Sequence, residues 1–149
     1  MNAFFEWFYG LFASLYGQDL DSYLLGAQCS EEEAGELVFT GDFLYTPIGF
    51  VALAVAAVFF VVYYYIINSS KLNKWWHWFI VMLLVGVVNL FIGQGWTSTE
   101  LPNIGSCLFV IESDFWMFGL ANAFASMVFF IVLSFAGKWW SSSCKRTPF

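Results

Sequence analysis

PIGFVALAVAAVFFVVYYYII, Pro47 to Ile67, decides the fold. These 21 residues carry no charge. At about 1.5 Å per residue, a helix of this length covers about 30 Å, the thickness of a bilayer's hydrocarbon core. Thr46 followed by Pro47 suits a helix start, a capping hydroxyl and then proline in the first turn. The run is unbroken rather than alternating, and only helices or closed barrels satisfy their backbone in lipid, so the reading is a transmembrane helix.

Two further runs of the same kind lie downstream. One extends from Trp75 to Gly95, with Gly93 and Gly95 marking its end. The other extends from Phe115 to Gly137. Ser113 and Asp114 are placed to cap its amides, and Gly137 with Lys138 suits its carboxyl end. The whole composition agrees. Of the 149 residues, 60% are hydrophobic, 23% aromatic and only 11% charged, against about 25% charged in soluble domains. A 17.0 kDa chain has too high a surface-to-volume ratio to hide that much apolar surface from water. A soluble enzyme, a disordered tail, a coiled coil and a collagen-like rod are excluded. The expected fold is an all-α integral membrane protein with three transmembrane helices.

Tryptophans mark the interfaces. Trp75, Trp76 and Trp78 stand at one end of the second span and Trp96 at the other; Trp116 opens the third, and Trp139 and Trp140 follow it. An apolar ring with one polar N–H is at ease at headgroup depth.

Charge supplies the orientation. Every basic residue (Lys71, Lys74, Lys138, Lys145, Arg146) falls in the 68–74 link or the 138–149 tail. All eleven acids fall before the first span or between the second and third. The positive-inside rule then puts the link and the C-terminus in the cytoplasm, and residues 18–46 and 96–114 outside. A bacterial inner membrane is the expected location, because a short acidic N-terminal segment crosses without a cleaved signal. Cys29 and Cys107 both fall outside, where an oxidising compartment permits a disulfide between them. Cys144 falls inside and is expected to be free.

Residues 1–17 are aromatic throughout, except for a stripe of Glu6, Gly10, Ala13, Ser14 and Gly17. Lacking a basic leader and a small-residue cleavage site, the segment is not a typical signal peptide. It reads as an amphipathic helix, either lying on the outer leaflet with Trp7 at headgroup level or forming a short fourth span with its small stripe on a neighbour. The interfacial form is favoured, since Glu6 is costly in lipid. Residues 18–46 form an acidic outer segment in which Ser30 to Glu33 reads as a capping box. The acids there read as a solvated face. The chain is treated as a single membrane domain.

Nothing in the sequence carries recognisable site chemistry. There is no phosphate loop, nucleophile motif or Cys-x-x-Cys pair. The single histidine, His77, gives no metal-ligand spacing, so no metal and no cofactor is expected. The net charge of −6 argues against nucleic acid. Polar residues within the spans are more informative. Asn89 and Asn122 lie about six and seven residues from the outer ends of antiparallel spans, so their amides fall at one depth and are expected to bond to each other. Gly86 and Gly93 share a helix face with Asn89. Gly119 and Ala123 are four apart, as are Ala121 and Ala125, and Ala52 and Ala56. Small residues at that spacing let helices approach closely.

These features point to a non-enzymatic, structural or anchoring subunit of a larger membrane assembly for secretion, transport or energy transduction. Its partners would be lipid and other membrane subunits, or copies of itself. A homo-oligomeric channel or pore-forming effector lined by Asn89, Gln94 and Asn122 is the alternative. A membrane enzyme or pigment-binding protein using His77 is a further one.

Overall fold

The computed structural model describes residues 2–29, 37–39, 44–67, 75–100 and 107–137. It is mostly helical. The elements are α1 (Asn2–Gly10), α2 (Ala13–Tyr16), α3 (Gln18–Leu24), β1 (Ala27–Cys29), β2 (Leu37–Phe39), α4 (Tyr45–Val61), α5 (Trp75–Thr99) and α6 (Glu112–Gly137). A π-helical stretch, Val62–Ile67, continues α4.

Three helices are long and apolar enough to cross a membrane: Tyr45–Ile66, Trp75–Thr99 and Glu112–Gly137, of 22, 25 and 26 residues with mean hydropathies of 2.3, 2.0 and 2.0. They are antiparallel in sequence order. The start of α4, the end of α5 and the start of α6 therefore share one end of the bundle. That end carries Asp19, Asp21, Glu100, Glu112 and Asp114 and is called the acidic end below.

The helix limits depart from the expected ones by up to a turn. α4 begins at Tyr45, with Leu44 in the cap position and no side-chain cap. Thr46 lies inside the first turn, its hydroxyl buried with no partner among the described residues. Pro47 is still tolerated, because first-turn amides have no intrahelical acceptor. α5 runs past Gly93 and Gly95 to Thr99, since glycine alone does not stop a helix whose neighbours are packed. Thr97, Ser98 and Thr99 return their hydroxyls to carbonyls three or four residues back. α6 begins at Glu112, and Asp114 reaches back to accept the Ile111 N–H at 3.1 Å, half of a capping box.

α6 is the central helix. Over half of its most apolar window is buried, 56%, against 28% for α4 and 22% for α5. It packs along both, while α4 and α5 meet over a short stretch. Small residues make this possible. Gly119 lies so close to α5 that a Cβ there would be 2.8 Å from the Leu90 carbonyl oxygen. A Cβ at Gly86 would press on Met127 at 3.2 Å. At the far end, one at Gly137 would overlap the Phe60 ring. Ala52 and Ala56 of α4 are fully buried.

The N-terminal region is not one continuous helix. α1 ends at Gly10, a turn at Leu11 and Phe12 follows, and Gly17 reverses the chain at φ +88°, a conformation glycine adopts without penalty. Nine residues reach only about 13 Å, so α1 is too short for a fourth span. Nor does it lie apart from the bundle: it docks on α4, and α2 docks on α6. The docking face is the aromatic one. Phe5, Tyr9 and Tyr16 are buried, whereas Glu6, Gly10 and Ser14 of the small stripe are exposed. Phe5 fills the space over Gly49, where a Cβ would overlap its ring. Rings then stack outward, Phe8 on Phe129 and Phe12 on Phe124, at 5.9 and 5.5 Å between centroids. Trp7 is 63% exposed on the opposite side.

β1 and β2 form an antiparallel hairpin, with Ala27 opposite Phe39 and Cys29 opposite Leu37. The Cys29–Cys107 disulfide, with Cα atoms 5.8 Å apart, joins it to the segment before α6. Phe109 N–H donates to Asp19 at 3.1 Å and Tyr23 donates to Glu100 at 3.2 Å. The acidic end is thus laced across α3, α5 and the 107–111 segment. Burial, and then the charge of Glu100, push the Tyr23 hydroxyl up to about 12.

Lys71, Lys74, Lys138, Lys145, Arg146, Trp139, Trp140, Cys144 and the Ser30–Glu33 capping box lie outside the described residues.

Candidate functional site: a buried tyrosine and asparagine network

Two asparagines would be expensive in an apolar bundle unless every polar atom were met. Asn89 and Asn122 are both fully buried. They face each other across α5 and α6, but their side chains do not bond to each other. Asn122 donates from Nδ2 to the backbone oxygen of Asn89 at 2.8 Å. Asn89 donates to the Val85 carbonyl one turn back at 3.0 Å. The geometry explains the substitution of backbone for side chain. Gly93 brings α5 so near that a Cβ there would stand 3.0 Å from Asn122 Nδ2. At that separation the amide reaches main-chain oxygen before it reaches a second side chain.

The other half of the Asn122 amide is met from the N-terminal region. Tyr9 donates its hydroxyl to Asn122 Oδ1 at 2.6 Å. The Tyr9 ring stacks on Tyr45 at 5.3 Å and 9° and lies 5.6 Å from Phe118. Tyr16 reaches the Tyr9 carbonyl at 2.9 Å and the Tyr45 hydroxyl at 2.8 Å. Tyr45 in turn donates to Asp21 of α3. Tyr16 has one hydroxyl proton for two acceptors, so it is shared between them. A continuous set of polar contacts therefore runs from Asp21 near the acidic end to the centre of the α5–α6 contact. Only Asn89 Oδ1 has no partner among the described residues.

Sequence reasoning found the asparagines and missed the tyrosines. A signal was present: Tyr9 and Tyr16 are seven apart, one helical face, in a segment otherwise given to phenylalanine.

The small residues fall around this network. Gly86, Asn89 and Gly93 make up the buried stripe of α5; Gly119, Asn122 and Ala123 are buried on α6. Both asparagines are at 0% exposure inside one chain. Gln94 is half-buried, its Cβ close to where a Gly119 side chain would begin. The network is built to hold α1, α2, α3 and α4 onto α5 and α6. Its one carboxylate is bonded by Tyr45.

At the opposite end, Trp78 donates to Ser134 at 3.3 Å. Tyr64, Trp78, Ile131, Ser134 and Phe135 enclose about 10 Å³, room for one water. His77 is half-buried, with Nδ1 unpartnered among the described residues. No three His, Cys, Asp or Glu side chains among the described residues converge as a metal site would require. Trp75 and Trp76 are exposed at the start of α5, Trp96 is half-buried near its end, and Trp116 is exposed at the start of α6.

No protein family, characterised protein or solved structure matches the chain. The functional reading therefore rests on the residues alone.

Proposed function

We propose that the protein is a polytopic membrane protein acting as a non-enzymatic anchoring subunit of a larger membrane assembly. One observation carries the reading: the division between inner and outer faces of the three long helices. Inside, nearly all of the polar capacity is spent on the chain's own packing. Outside, Val58, Ile80, Leu83, Leu84, Val87, Phe91, Leu120, Phe124, Val132 and Phe135 stay exposed along their length. Water does not tolerate such a girdle; lipid and apolar partners do. The spacing of the tryptophans supports it, since Trp75 and Trp96 on α5 are about 31 Å apart at helical rise, the span of a hydrocarbon core. α4, α5 and α6 cross the bilayer in this reading. The acidic end is outside, where the Cys29–Cys107 disulfide survives. The basic link and tail lie in the cytoplasm, in a bacterial inner membrane.

Native mass spectrometry of gently extracted membranes tests the subunit claim. Co-purification with stoichiometric protein partners is expected. A single species at a whole multiple of 17.0 kDa overturns it in favour of a self-assembled protein.

A further inference from the structure

Three contacts of the tyrosine network share two protons. Tyr45 with Asp21, Tyr16 with Tyr45 at 2.8 Å, and Tyr16 with the Tyr9 carbonyl at 2.9 Å are each within hydrogen-bond reach. Each contact needs one proton between its two oxygens. An ionised carboxylate and a carbonyl supply none, and each tyrosine supplies one.

No rotation of the hydroxyls removes the shortfall. With Tyr45 donating to Asp21, Tyr16 serves either the Tyr9 carbonyl or Tyr45, and the other contact holds two oxygens with no hydrogen between them. With Tyr45 donating to Tyr16 instead, the carboxylate faces a bare hydroxyl oxygen. Tyr9 has no proton to lend, because its own hydroxyl donates to Asn122 Oδ1. Tyr16 and Tyr45 are closed to bulk water, and an unmet polar contact in such surroundings is costly.

One proton on Asp21 completes the set. Asp21 then donates to Tyr45, Tyr45 to Tyr16, Tyr16 to the Tyr9 carbonyl, and Tyr9 to Asn122 as before. The proton comes from water and returns to it when the carboxyl ionises. The two hydroxyls turn about their C–O bonds, and no heavy atom need move. Asp21 is placed to receive the proton, since it is half-buried and lines an open groove, with the closed tyrosines behind it. The titratable groups around it are Tyr45 of α4, Tyr16 of α2, Glu6 of α1 across the groove, and Asp114 of α6 beside Gly17. On its own helix, Asp19 accepts the Phe109 N–H and Tyr23 donates to Glu100.

We infer that Asp21 is a proton-binding switch: protonation of its carboxyl reverses the Tyr45 hydroxyl, commits Tyr16 to the Tyr9 carbonyl, and fastens the N-terminal region to α4 and α6 more tightly than the ionised form does.

The full chain in nanodiscs, taken from neutral to acidic pH, tests this by two readouts. Infrared difference spectra follow the carboxyl C=O and tyrosine C–O bands. Hydrogen-exchange protection of residues 2–16, corrected for the intrinsic pH dependence, reports how often the segment opens. In the wild type, acid is expected to bring up a carboxylic-acid band that Asp21→Asn lacks and a tyrosine shift that Tyr45→Phe lacks. Protection of residues 2–16 is expected to rise about fivefold, the worth of one net hydrogen bond. Asp21→Asn, whose amide donates to Tyr45 at every pH, is expected to hold the acidic level throughout. Tyr16→Phe removes one proton and two contacts, so the shortfall vanishes and protection is expected to be independent of pH. This variant carries the test even if Asp21→Asn fails to fold. Glu6→Gln, across the groove, is expected to leave the acid response intact. Unchanged protection in the acidified wild type overturns the switch, as does a fivefold rise retained in Tyr16→Phe. Loss of the response in Glu6→Gln overturns the assignment to Asp21. Protection that falls with acid overturns the direction, because the carboxylate is then the tighter anchor.

Discussion

Removing the Asn122 amide is expected to be among the costliest single changes in the bundle. Asn122 accepts from Tyr9 at 2.6 Å and donates to the Asn89 carbonyl at 2.8 Å, with no exposure to solvent. Asn122→Ala breaks both bonds and strands one buried donor, the Tyr9 hydroxyl; the Asn89 oxygen keeps its intrahelical bond from the Gly93 N–H. The stranded hydroxyl costs about 1–3 kcal/mol in a protein core, toward the lower end for helices within lipid, and the lost bond to the Asn89 oxygen adds about 1 kcal/mol. The expected loss is about 2–4 kcal/mol. Tyr9→Phe breaks only one of the bonds and leaves Asn122 Oδ1 bare, so about half that loss is expected. The two changes should not add. Once Asn122 is gone, the Tyr9 hydroxyl is already unpaired, and removing it relieves its burial. A coupling of about 1 kcal/mol is expected in the double-mutant cycle. Reversible unfolding in mixed micelles, followed by circular dichroism and tryptophan fluorescence, gives all four free energies. Additivity within about 0.5 kcal/mol would refute the direct bond, and with it the claim that the N-terminal region is pinned to α6 through this amide.

Gly119→Ala is expected to destabilise by about 1–3 kcal/mol through overpacking against the Leu90 carbonyl oxygen, whereas Gly10→Ala, with nothing near its Cβ, is expected to be neutral or slightly stabilising; thermal melts in one detergent compare them. Cys29→Ser is expected to lower stability by about 2–4 kcal/mol, because the bond closes a long loop in the unfolded chain, and reductant should shift the wild-type melt toward the variant and leave the variant unmoved. The Tyr23 hydroxyl, normally near 10, is raised to about 12 by burial and Glu100. Its contribution is complete below pH 10 and is lost as pH rises through 12, since the unfolded chain releases that proton first. The gap in melting temperature between wild type and Tyr23→Phe should therefore shrink over that window.

Hydropathy made the three long helices legible, because an uncharged run such as Pro47–Ile67 has few other stable forms. The small stripe of α5 was legible for the same sort of reason: Gly86, Asn89 and Gly93 fall on one face, and close packing needs small residues. Direction was harder to read in the N-terminal region. Where nearly every residue is bulky and apolar, the face that goes inward depends on the surface receiving it. Gly49 offers a recess that fits Phe5, and Asn122 offers an acceptor that fits Tyr9. Both lie far along the chain, so the local pattern of α1 alone left the packed face open: the interfacial reading set the segment apart from the bundle, and the fourth-span alternative packed the small stripe, whose Glu6, Gly10 and Ser14 are exposed. The Asn89–Asn122 relation failed for a similar reason. Equal depth was readable from residue counts, but the helix separation that makes Asn122 meet a main-chain oxygen depends on Gly93. The cap at α4 moved to Leu44 because tertiary contacts hold the chain there: Leu44 N–H bonds the Leu24 carbonyl at 3.0 Å.

The central claim is that α4, α5 and α6 cross a bilayer with the acidic end outside. The most direct test is thiol labelling in intact cells with a membrane-impermeant maleimide. Single-cysteine reporters would be introduced at Glu112 and at Asn73 in the 68–74 link, in a background with Cys144→Ser and the native disulfide retained. The account predicts labelling of Glu112→Cys in intact cells, and of Asn73→Cys only after permeabilisation. Equal labelling of both before permeabilisation, or labelling of Asn73→Cys alone, would contradict it.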